Sequence, residues 1–109
     1  MFKGTIKEIL SQIDSFEWNF CVFAEPGEVT LNTMCVCLDI DDEMAVDTGE
    51  HLKVFFEGKS YIDLLSISDI KGVIGYLTKQ VPHPSDELKL KAILYYEKTD
   101  RFLEVSPQN

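Results

Sequence analysis

Residues 33–40 (TMCVCLDI) carry apolar side chains on both faces of an extended segment. Side chains alternate along a strand. Met34, Val36, Leu38 and Ile40 therefore share one face, and Cys35 and Cys37 share the other. A strand that is apolar on both faces reads as a central strand of a sheet. Trp18–Ala24, rich in aromatic and β-branched residues, reads as a second strand. In that strand Trp18, Phe20, Val22 and Ala24 share a face. Trp18, Phe16, Phe20 and Phe23 read as core pieces rather than an interface anchor. The turn between the two strands is Glu25-Pro26-Gly27-Glu28, where Pro presets φ and Gly accepts positive φ.

The rest of the chain supplies helices and one further strand. Thr5-Ile6-Lys7-Glu8 has the form of a capping box, and Ile6, Ile9, Leu10 and Ile13 follow at helical spacing. This predicts a helix over residues 5–15. Residues 51–56 fit either a strand or a turn of helix. Glu57-Gly58-Lys59-Ser60 predicts a turn, and Tyr61–Leu65 a short strand. Ser66 or Ser68 caps the next helix, whose stripe is Ile70, Val73, Ile74, Leu77 and Val81. Gly72 and Gly75 weaken that helix, which is the mark of a close approach by another element. Val81-Pro82-His83-Pro84 ends it. Ser85 then caps a third helix, with Leu88, Ala92, Ile93, Leu94, Tyr95 and Tyr96 facing inward. The expected fold is one α+β domain over residues 1–109, with a small, mainly antiparallel sheet of three to four strands and about three helices.

Composition narrows the function. The 109 residues carry 19 acidic and 10 basic side chains, a formal charge of -9. Such a surface repels phosphate backbones, which argues against direct nucleic-acid binding. No stretch approaches the roughly 20 apolar residues of a membrane span, and the N-terminus does not read as a signal peptide. Three cysteines are an odd number, unsuited to a disulfide framework. A cytoplasmic setting is the expectation.

Motifs for chemistry do not assemble. Cys35-x-Cys37 with Cys21 lacks zinc spacing and reads as strand packing. Asp39-x-Asp41-Asp42-Glu43 begins like a calcium loop, but Met44 stands where the sixth-position glycine belongs. His51 and His83 lie beside no nucleophile signature. The expectation is a non-enzyme without metal or cofactor.

What stands out is the acidic segment Asp39–Glu50. Asp39, Asp41, Asp42, Glu43, Asp47 and Glu50 fall in twelve residues without a Lys or Arg. They read as a surface loop whose acidic edge meets a basic partner, with Glu25 and Glu28 extending it. The alternative for such a run is a merely solvated loop.

Three stretches carry a family resemblance: Thr30-Leu31-Asn32-Thr33, Leu65-Ser66-Ile67-Ser68-Asp69-Ile70, and Tyr95-Tyr96-Glu97-Lys98-Thr99-Asp100-Arg101-Phe102. With the acidic segment, they make the chain resemble bacterial immunity proteins of polymorphic toxin systems, including contact-dependent growth inhibition. The resemblance implies a cytoplasmic inhibitor that binds the C-terminal domain of a cognate toxin and blocks its active site or an adjacent surface. Many such toxins are nucleases with basic clefts, which an acidic inhibitor complements. No binding residue carries over by motif, and the candidates above come from charge pattern alone. The other readings of the residues are a small acidic adaptor binding another protein, and an enzyme of unrecognised type.

Overall fold

The computed structural model describes residues 1–39, 45–47 and 52–105, with the backbone alone at 45–47. In chain order the elements are β1 (Phe2–Thr5), α1 (Ile6–Ser11), a 3-10 turn (Ile13–Ser15), β2 (Phe20–Ala24), β3 (Met34–Asp39), β4 (Ala45–Asp47), β5 (Leu52–Phe56), β6 (Lys59–Ser66), α2 (Ile67–Gln80) and α3 (Asp86–Thr99). The fold is α+β as expected, with three helices. The strands form a single six-stranded sheet in the order β1-β3-β2-β6-β5-β4, and every pairing is antiparallel.

The sheet is larger than the three to four strands expected, for identifiable reasons. β1 is only four residues long and runs directly into the capping box, whose helical signal dominates the sequence there. β4 lies inside the acidic segment, which is therefore not loop throughout. The ambiguous residues after it form β5, a strand. Glu57 and Gly58 join β5 to β6 with φ of 52° and 78°. Two successive positive φ values are the mark of the tight hairpin turn that follows strand twist.

β3 lies between β1 and β2 and is apolar on both faces, as its sequence requires. On one face Cys35 and Cys37 join Val22 and Ala24 of β2 under α1, α2 and α3. Ile6, Ile9, Leu10, Ile67, Ile70, Val73, Leu77, Leu90, Ala92 and Ile93 complete that core. On the other face Val36 and Leu38 join Phe23, Val54 and Tyr61, and every buried member of this second cluster is a strand residue. The hydroxyl of Tyr61 is buried and, among the described residues, has no hydrogen-bond partner.

Contacts between distant strands show how the sheet is shaped around the second cluster. Lys3 on β1 pairs with Glu57 at 3.0 Å, and its Nζ lies 5.5 Å from the centre of the Phe56 ring on β5. In a flat sheet β1 and β5 stand four strand spacings apart, about 19 Å. Parallel, upright side chains do not close such a gap, so the sheet coils and brings the β5–β6 turn toward β1 over this face.

The helix starts follow the sequence. Thr5 and Glu8 form the full capping box, and α1 is shorter than expected, giving way to the 3-10 turn. Ser66, not Ser68, caps α2, and Ser85 caps α3. Three sequence expectations are corrected. Trp18 precedes β2 and is 75% exposed, so it is no part of the core. Tyr95 faces outward, whereas Leu90 joins Ala92 and Ile93 as a buried residue of that helix. Gly75 is exposed, and a Cβ there would meet nothing within 4 Å among the described residues, so none of them packs closely on it.

Candidate functional site

One end of the sheet gathers carboxylates. Asp39 closes β3 opposite Phe20, and its Oδ2 accepts from Asn19 Nδ2 at 3.0 Å. One residue pair inward, Cys21 stands opposite Leu38. The Cys21 thiol titrates above its ordinary range, first because it is partly buried and then because Asp63, Asp69 and Asp39 add negative potential. The half-buried cysteine thus reports three carboxylates, from β3, β6 and the first turn of α2.

A register shift in β6 helps to make this arrangement. Val22 pairs with Leu65 but Phe23 pairs with Asp63, which leaves Leu64 as an extra residue. Such a bulge re-aims neighbouring side chains. Leu64 and Leu65 both pack against the helix-covered core. Asp63 stays on the coiled face, opposite Phe23. It lines a cleft of about 200 Å³ with Cys21, Leu52, Ser66 and Asp69. Sequence reasoning missed Asp63 and Asp69. The available signal for Asp63 was a lone acid interrupting the apolar run Tyr61-Ile62-Asp63-Leu64-Leu65. Asp69 was hidden by its ordinary place in the first turn of a helix.

The residues singled out from sequence are distributed unevenly around this end. Asp39 is part of it. Asp47 is the last residue of β4 and pairs with Leu52 of β5. Asp41, Asp42, Glu43 and Glu50 lie outside the described residues. Glu25 and Glu28 do not extend the edge formed by Asp39. They follow β2 at the far end of β3, where Ala24 pairs with Cys35. Glu25 there supports the fold: its Oε1 accepts from the Met34 amide at 3.2 Å, and its Oε2 lies 3.9 Å from Lys59.

The other cysteines are built into the sheet. Burial pushes both the Cys35 and Cys37 thiols up to about 12. At neutral pH they are uncharged and behave as small apolar side chains. Among the described residues no group of three or more His, Cys, Asp or Glu side chains is placed to hold a metal ion. Among them, too, no helix is long and apolar enough to cross a membrane.

Two of the stretches behind the family resemblance are structural joints. The Thr30–Thr33 turn closes on itself through Thr33 and receives the Ile6 and Lys7 amides at the start of α1. Leu65–Ile70 is the strand-to-helix junction capped by Ser66.

The molecule is thus an α+β protein with three helices on one face of a coiled antiparallel sheet and an acidic cleft at the sheet's end. It belongs to the family DUF7716, a domain of unknown function, whose profile matches residues 3–105. No curated protein and no solved structure matches it.

Proposed function

We propose that this protein is an inhibitor of the immunity type, which binds a basic toxin domain through the acidic end of its sheet. The observation that carries the reading is that Asp63 and Asp69 line one cleft, with Asp39 at the neighbouring end of β3 adding negative potential at the same Cys21 thiol, in a chain of net charge -9. In sequence, the acidic segment continues directly from Asp39, so Asp41, Asp42 and Glu43 enter the proposed interface with it. Opposed charge accelerates encounter and selects the partner, while adjoining apolar surface supplies residence time. A nuclease offers a surface of the required sign, because its cleft is built to attract phosphate.

The test uses the C-terminal domain of the polypeptide encoded immediately upstream. Its association with the wild-type protein is measured between 0.01 and 0.15 M salt, where the screening length falls from about 30 to about 8 Å. Association should slow on the order of tenfold or more over that range. Asp63→Asn with Asp69→Asn, or Asp41, Asp42 and Glu43 replaced by Lys, should flatten the salt dependence and weaken protection of cells expressing the toxin domain. Absence of a complex removes the proposal. A complex with equal affinity at both salt concentrations removes this surface from it.

A further inference from the structure

After α3 the chain turns back along the helix pair, and several bonds fix its path. Asp100 ends the helix in the left-handed region at φ 59°, with its amide donating to the Tyr96 carbonyl at 2.8 Å. The Arg101 amide donates to Thr99 Oγ1 at 3.2 Å. Gln80 then holds the returning segment at two points. Its Nε2 donates to the Leu103 carbonyl at 3.0 Å, and its Oε1 accepts from the Val105 amide at 2.8 Å.

This scaffold presents aromatic rings rather than hiding them. Phe102 lies stacked against Tyr76, with ring centres 5.0 Å apart, and against Tyr96 at 5.4 Å. Gly72 makes room beneath, since even a Cβ there would only touch the Phe102 ring at 3.9 Å. Yet Phe102 remains 40% exposed and Tyr95 38%. They open onto a cleft of about 510 Å³ shared with Tyr76, Asp100, Arg101 and Glu104.

The charges around the cleft indicate what it accepts. Two carboxylates, Asp100 and Glu104, line it together with one guanidinium residue, Arg101. The Tyr76 hydroxyl leans to Glu104 Oε1 at 3.5 Å. The Tyr96 hydroxyl titrates above its usual range, chiefly through Asp69, with Asp100 contributing. With two carboxylates to one guanidinium the lining is net acidic, and Asp69 adds negative potential at the neighbouring Tyr96 as it does at Cys21. A purely aromatic cleft would take any apolar side chain, and acidic walls repel phosphate. Aromatic faces beside carboxylates favour a cation that is flat enough to stack.

We infer that the cleft formed by Tyr76, Tyr95, Phe102, Asp100 and Glu104 anchors an arginine side chain of the protein partner. The guanidinium lies on the aromatic wall and pairs with the two carboxylates. Such an anchor complements steering by the acidic end, because few aromatic and arginine contacts dominate most interfaces. The inference rests on the partner being a basic protein, and it fixes where that partner is held.

Nuclear magnetic resonance titration with acetyl-Gly-Arg-Gly-amide at 0.15 M salt tests the cleft without any toxin. Shifts should concentrate in Tyr76, Tyr95 and residues 100–104. Glu104→Gln and Tyr95→Leu should weaken binding several-fold, whereas Arg101→Gln should strengthen it by removing a like charge. These opposite signs separate recognition from damage to the fold. The citrulline peptide should not bind, and the lysine peptide should bind more weakly. Shifts centred on Asp39, Asp63 and Asp69, equal binding of citrulline or lysine, parallel effects of the two charge variants, or no shifts at all would each overturn the inference. Because no toxin is used, failure here is distinct from failure of the inhibitor reading.

Discussion

Cys21, Cys35 and Cys37 show how much a residue's meaning depends on its neighbours. Their spacing already argued for packing over metal binding, and burial of Cys35 and Cys37 in β3 agrees with that reading. The difference among them appears only in three dimensions. Cys21 is partly accessible beside three carboxylates, whereas both thiols of β3 are raised to about 12 by burial. Iodoacetamide at pH 8 should therefore label Cys21 slowly and leave Cys35 and Cys37 untouched until the protein unfolds. Native labelling of either would show that the sheet opens there. The same shift has a consequence at alkaline pH. Folded Cys35 and Cys37 retain protons that the unfolded chain releases above its ordinary value of 9.0. Stability should thus fall as pH rises from about 9 toward 12, by about 1.4 kcal/mol per pH unit for each thiol.

Among the elements, those with a strong local signal were legible: the capped helix starts and the strands β2, β3 and the core of β6, while β5 stayed open between strand and helix although it is five residues long. β1 and β4 were not, because four and three residues are too few to establish a period. The bulge at Leu64 was equally hidden, since one extra residue changes which face a side chain occupies without changing composition. That is also why Asp39 was found and Asp63 missed. The two helix glycines give a test at this scale. Both suggested close packing, but only Gly72 has a neighbour, the Phe102 ring. Gly75 is exposed, within α2, and carries only the backbone-entropy cost of glycine in a helix. Gly75→Ala should stabilise the protein by about 0.5–1 kcal/mol, while Leu77→Ala, two residues away and buried, should destabilise it by about 2–5 kcal/mol. Urea denaturation of the two variants should move the midpoint in opposite directions. A destabilised Gly75→Ala would mean that another surface covers that position.

For the whole molecule, the coiling of the sheet decides which surfaces meet, and it is the property least accessible from sequence. Strand periodicity assigns faces but says nothing about whether the two ends of a sheet approach each other. Here Lys3 of β1 and Glu57 of the β5–β6 turn are 54 residues apart in sequence, and β1 neighbours neither β5 nor β6 in the sheet, yet their charged atoms lie 3.0 Å apart. Glu57 raises the Lys3 ammonium above its ordinary value, mainly through that hydrogen bond. Both side chains keep solvent contact, so the pair indicates the shape of the sheet more than it stabilises it. A zero-length carbodiimide exploits this geometry, since it joins an amine to a carboxylate only when the two already touch. Brief treatment followed by peptide mass spectrometry should recover the Lys3–Glu57 link from native protein. The link should disappear in denaturing urea and in Glu57→Gln, while thermal stability of that variant stays within about 0.5 kcal/mol of wild type. An open, flat sheet would instead leave Lys3 coupled to a carboxylate near it in sequence, such as Glu8 of α1. Recovery of that product alone would refute the coiled arrangement, and with it the account of how β5 comes to close over the second core.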